Sequence, residues 1–179
     1  MTDIRPTLLL AVALLAACVP MPGQIAQYQS KYDGSTTIQM KPAIVGQSTG
    51  IMLGLTWSSG MKPGEIIMIA EVDGANGFLP GKSLWFNIDG TEYGFEAIPG
   101  SHDIRTEKQY QGYANVTSSK FLISTDLVEK IINANRAALQ VRCRKGLYEG
   151  VFSETHHLSA RINFQKFLDQ VSGRREKTP

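Results

Sequence analysis

The sequence predicts an α+β or mainly β protein, an antiparallel β-sheet or sandwich with two amphipathic helices late in the chain. Short apolar stretches with a period of two recur between turn residues from Thr36 to Phe152. Helical periodicity is confined to two places, one after Ser124 and one after Asn163. No alternation of strand and helix runs through the chain, which argues against a parallel sheet. No repeat of 20 to 50 residues is visible.

Taken in order, residues 19–31 (VPMPGQIAQYQSK) hold two prolines and a glycine among polar residues and show no period. They read as a flexible tether with a typical reach of about 20 Å. Residues 36–40 form a β-rich stretch before Pro42, a residue that suits an edge strand. Ile51, Leu53, Leu55 and Trp57 alternate with Met52, Gly54 and Thr56, the pattern of a half-buried strand. Residues 65–72 (EIIMIAEV) are almost continuously apolar between Pro63-Gly64 and Asp73-Gly74, which predicts a central strand.

Residues 83–88 and 91–98 flank Asp89-Gly90, the signature of a two-residue type I′ hairpin. In that register Phe86 faces Tyr93, Leu84 faces Phe95, and Trp85 lies across from Gly94, whose bare backbone a large ring can cover. Periodicity then fades over residues 99–119, which hold Tyr110 and Tyr113. A stretch this long is either a functional loop or conceals a short strand. Residues 121–124 read as a strand entering a helix capped by Ser124 or Thr125, with Leu127, Val128, Ile131 and Ile132 on one face and Asn133 and Asn135 at its end. A second hairpin joins residues 138–144 to 147–152 through a turn near Lys145-Gly146. Phe164, Phe167, Leu168 and Val171 then mark a helix over 163–171. Gly173 ends it, and residues 174–179 are a polar tail; residues 158–162 have no clear assignment.

The opening carries the strongest address. Residues 7–17 are an uncharged run rich in Leu and Ala, too short to span a bilayer, which takes about 20 residues. Arg5 and the amino terminus precede the run, and the small residues Ala16 and Ala17 end it, as in a signal peptide. Leu15-Ala16-Ala17-Cys18 resembles the lipobox of bacterial lipoprotein precursors. The resemblance implies removal of residues 1–17, acylation of Cys18 and anchoring of the mature chain in a lipid bilayer. Val19, where retained inner-membrane lipoproteins commonly carry Asp, implies the outer membrane facing the periplasm if the source is a diderm. Residues 18–31 would then be the lipidated terminus and tether, 32–173 one β-rich domain, and 174–179 its tail.

Net charge is +2, and removal of Asp3 and Arg5 with the leader leaves it unchanged. That is too mild a charge for a nucleic-acid partner. Of the two cysteines, Cys18 would be acylated, so Cys143 has no partner within the chain and no disulfide framework exists. The alternation of Leu139, Val141 and Cys143 with Gln140, Arg142 and Arg144 places Cys143 on a buried face.

Signals for chemistry are weak. Gly81-Lys82-Ser83 ends like a phosphate loop, but Asn76 stands where the first glycine belongs and a strand follows in place of a helix. His156 and His157, after Glu154, are adjacent, a spacing that turns two imidazoles apart on a strand. His102-Asp103 lacks a serine in a GxSxG elbow, and Asn115-Val116-Thr117 is a glycosylation sequon in form only. No catalytic set, metal site or cofactor is read from the chain. Arg142, Arg144 and Lys145, with Arg136 nearby, form a basic stripe suited to an acidic partner. Together with Tyr110 and Tyr113 they are the candidate partner-binding residues. The expected function is that of a non-enzymatic, membrane-anchored envelope lipoprotein that binds a protein partner or an envelope component. The alternatives are a periplasmic domain that binds a small ligand and, third, an enzyme of unknown type.

Overall fold

A computed structural model describes residues 21–46, 50–109, 112–152 and 159–173. In chain order the elements are β1 (Ile25–Gln29), β2 (Thr36–Ile44), β3 (Ile51–Ser58), β4 (Glu65–Asp73), β5 (Lys82–Ile88), β6 (Thr91–Glu96), β7 (Asp103–Gln109) and β8 (Gly112–Ser124). Then come α1 (Thr125–Asn133), β9 (Ala137–Cys143), β10 (Gly146–Val151) and α2 (Ala160–Val171). The strands form a six-stranded sheet in the order β1-β2-β3-β4-β8-β7 and a four-stranded sheet in the order β10-β9-β5-β6. Every pairing within them is antiparallel, as the fold class requires.

Burial follows the alternation. Ile51, Leu53 and Leu55 on β3 and Ile66, Met68, Ala70 and Val72 on β4 turn to the core, as do Phe121 and Ile123 on β8. From the other sheet come Leu84, Phe86, Leu139, Val141 and Cys143. Helix α2 packs on β2 and β3 with Phe164 and Phe167 fully buried. Phe86 meets Phe152, which meets Phe164, so aromatic contacts run from the four-stranded sheet to the helix. Each such side chain contributes roughly 1.5–3 kcal/mol by its removal from water.

Local chemistry matches the expected hairpins and caps. Asp89 (φ 49°) and Gly90 (φ 89°) make the β5–β6 turn, and all three expected cross-strand pairs are present. The Asp89 carboxylate also accepts the backbone N–H groups of Asn135 and Arg136 at 3.2 and 2.8 Å, tying the turn to the chain beyond α1. Ser124 caps α1, its Oγ accepting the Leu127 N–H at 3.1 Å. Arg161 on α2 donates to the carbonyls of Ile132 and Ala134, which satisfies the end of α1. The second hairpin turns at Arg144-Lys145, one residue before the expected place, since Cys143 pairs with Gly146. Helix α2 begins at Ala160, three residues early, with the Asn163 amide donating to the Ser159 carbonyl at 3.0 Å.

Two expectations are corrected. Residues 19–31 are not all tether: Ile25–Gln29 is β1, paired residue by residue with β2. Its sequence IAQYQ is too short and polar to show a period, and the backbone ladder supplies its stability. The β2 stretch is not an edge. It lies between β1 and β3, and a bulge between Met40 and Ala43 lifts Lys41-Pro42 out of the ladder. Gly54 makes room for that bulge, since a Cβ there would stand 2.8 Å from the Met40 carbonyl and 3.1 Å from the Pro42 nitrogen.

Of the two readings open for residues 99–119, a functional loop or a concealed strand, the second holds: they contain β7 and much of β8. Val116 is the one apolar residue among four consecutive buried positions, the others being Thr117, Ser118 and Ser119, so hydrophobic alternation is missing. Arg105 on β7 reaches across β8 to Glu71 on β4, 2.8 Å away, and also holds Glu107. Burial pushes the Glu71 carboxyl above the ordinary glutamate range, with Arg105 acting in the opposite direction. A raised folded pKa gives stability that is complete below the unfolded value and lost as pH rises through the folded one. The wild-type urea midpoint should therefore fall relative to Glu71→Gln as pH climbs from 4.5. A flat or rising difference between the two proteins would contradict this account.

Candidate functional site

Strand alternation that sends Leu139, Val141 and Cys143 inward sends Gln140 and Arg142 to the outer face of the four-stranded sheet. Strand β5 pairs with β9 so that Trp85 stands opposite Gln140, and β10 brings Glu149 to the other side of Gln140. Trp85 lies flat on Gly94 of β6, where a Cβ would meet its ring at 2.8 Å. Its indole N–H donates to the Lys82 carbonyl at 2.9 Å, which fixes the ring.

On that ring sits Arg142, its guanidinium carbon 4.9 Å from the ring centre, with the Lys82 ammonium 5.7 Å away. The Arg142 Nε donates to Gln140 Oε1 at 3.1 Å, and Gln140 Nε2 donates to Glu149 Oε1 at 3.0 Å. Glu149 therefore orients an amide, the amide orients a guanidinium, and the indole supports it from below. A cation on an indole face contributes about 0.5–1 kcal/mol where exposed. These groups line an open concavity of about 600 Å³, whose wall also includes Asn87, Glu92 and Arg136. Its chemistry is that of recognition: stacking, amide hydrogen bonds and paired charges on a rigid sheet.

Only part of the expected surface comes together. Arg142 and Arg136 line the concavity, while Arg144 and Lys145 form the exposed hairpin turn. The Arg144 side chain lies beside Gly77, and the Arg144 backbone N–H donates to the Gly77 carbonyl at 3.0 Å. Tyr113 belongs to β8, in the other sheet from the basic stripe, and Tyr110 lies outside the described residues. Cys18, Glu154, His156 and His157 also lie outside the described residues. Trp85, Gln140 and Glu149 complete the surface without having been candidates; the signal for Trp85 was its register opposite Gly94.

Other candidates take structural places. The His102 ring stacks on Phe78 with centroids 5.8 Å apart and shields that core residue. Lys82 opens β5, which confirms a strand where a phosphate loop would need a helix. Burial pushes the Cys143 thiol up to about 11, so it stays protonated at neutral pH. Among the described residues no three His, Cys, Asp or Glu side chains cluster as metal ligands, and no helix is long and apolar enough to cross a membrane.

A longer groove of about 1190 Å³ runs between β1 and α2, lined by Ile25, Ile38, Trp57 and Val171 together with Gln27, Lys166 and Asp169. Compared with protein-family models, curated proteins and solved structures, the chain matches none.

The site makes one structural prediction. Gly94→Ala should dislodge Trp85, shift tryptophan emission to the red and cost about 1–3 kcal/mol of stability. Gly60→Ala, where nothing lies within 4 Å, should change neither. Unchanged emission from the Gly94 variant would mean that the ring does not rest there.

Proposed function

We propose that this chain is a non-enzymatic, lipid-anchored protein of the bacterial cell envelope that recognises a protein partner or envelope component. The observation that supports recognition is the outer face of the four-stranded sheet. There Glu149, Gln140 and Trp85 hold the Arg142 guanidinium in one orientation within an open concavity. Such preorganisation lowers the ordering cost of binding, and Trp and Arg are the residues that most often dominate an interface. A guanidinium with a fixed plane suits a carboxylate or another acidic group on the partner. The anchor rests on the resemblance of Leu15-Ala16-Ala17-Cys18 to a lipobox. With it come the outer membrane and the periplasmic side, if the source is a diderm.

Binding of a small ligand is the second reading, supported by the groove between β1 and α2. The space between the sheets is filled by Phe86, Phe121 and their neighbours, so a ligand would occupy that surface groove.

Two measurements test the proposal. Labelled fatty acid should enter the wild-type protein and not Cys18→Ala; equal labelling of both, or of neither, would remove the anchor. Crosslinking in native cells, followed by capture in mild detergent, should enrich a dominant protein partner. Arg142→Glu should reduce that capture about tenfold or more, while stability falls only by the lost contact with Trp85 and Gln140, about 1–2 kcal/mol, and the domain stays folded. Full capture by the Arg142 variant would remove this face from the interface. A co-purifying small molecule in place of a protein would favour the second reading.

A further inference from the structure

The structure orders the chain much closer to Cys18 than a long tether would allow. The Gly23 N–H donates to the Lys41 carbonyl at 3.2 Å, the Lys41 N–H donates to the Gln24 carbonyl at 2.9 Å, and the Gln24 N–H closes a turn on Met21 at 3.1 Å. Gly23 is also locked beneath α2, because a Cβ there would stand 2.4 Å from the Asn163 amide nitrogen. Only Val19 and Pro20 separate Cys18 from Met21. Three residue steps span about 10–11 Å at full extension. An acyl group on Cys18 can enter a bilayer only if Met21 stays within that distance of it.

From this we infer that the β1–α2 flank of the domain rests on a phospholipid surface, with β7 held away from it. The inference depends on the anchor proposed above. Met21, at the point where the chain would leave the lipid, is 70 % exposed and apolar. Lys166 and Asp169 balance one another on the groove of this flank. An acylated terminus held this close to the domain brings the adjoining flank to the headgroups. β1 and β7 are the opposite edges of the six-stranded sheet, five strand spacings or about 24 Å apart. The flank on lipid therefore raises the far edge by most of the width of the sheet.

Site-directed fluorescence on the full-length acylated protein tests this. A thiol-reactive fluorophore is placed on Gln24→Cys or Asp103→Cys, and the protein is reconstituted in phosphatidylethanolamine–phosphatidylglycerol vesicles containing a headgroup-nitroxide lipid. Cys143 is 2 % exposed and stays unlabelled. Tyr28→Cys, on an exposed position of β1, serves as a second flank probe should Gln24→Cys fold poorly. Quenching at the flank probes should exceed that at Asp103→Cys at least threefold. Acylated protein quenched equally at all positions, or more at Asp103→Cys, overturns the orientation and leaves the anchor standing. Absence of fatty-acid incorporation overturns both.

Discussion

The ladder between β4 and β8 is the seam on which the rest of the structure depends. Nine consecutive pairs, from Glu65 with Ser124 to Asp73 with Val116, join the opening meander β1–β4 to a strand that returns after β5, β6 and β7. Closing so long an excursion costs chain entropy before any contact repays it. The apolar residues that repay it lie along the ladder, where Ile66, Met68, Ala70 and Val72 meet the face that carries Phe121 and Ile123. The end of the ladder also starts the next element, since Ser124 is both its last paired residue and the cap of α1. Once β8 is fixed, the four-stranded sheet has a surface to cover, and the Arg105–Glu71 pair pins the edge strand β7 across it.

Much of this was legible where side chains or turns advertise their conformation. Asp89-Gly90 demands positive φ, Ser124 offers a cap, and Leu139, Val141 and Cys143 alternate without interruption, so these elements were placed correctly. Polar strands were illegible. β1 is held by backbone bonds at a sheet edge, and β7 with the first part of β8 relies on Thr117, Ser119 and an ion pair for what apolar residues do elsewhere. Pro42 misled in a different way. A proline in a strand normally signals an edge, but here a bulge and the missing side chain of Gly54 absorb it within the sheet.

The candidate site divides along the same line. That Arg142 faces outward follows from its neighbours in sequence, and that Trp85 covers Gly94 follows from the hairpin register. That Arg142 rests on Trp85 depends on β9 pairing with β5, two strands far apart in the chain, and no local pattern reports it. The hairpin that displays the basic residues is likewise continuous in sequence but divided in space, with Arg142 on the aromatic face and Arg144 beside Gly77. A run of like charges is thus a poor guide to a common surface when a tight turn falls within it.

One feature of the six-stranded sheet has a consequence for handling the molecule. Among the described residues β1 pairs with β2 alone, so its other side is a sheet edge of the kind that recruits a strand from a neighbouring copy. On the bilayer, in the proposed orientation, lipid headgroups occupy the approach to that edge and hold copies side by side with their edges directed downward. If the proposed anchor holds, a chain made without the acyl group would lose that shield and gain free rotation, and its β1 edge would become the natural place for self-association. The proposed anchor would then act as a guard against strand pairing as well as an address.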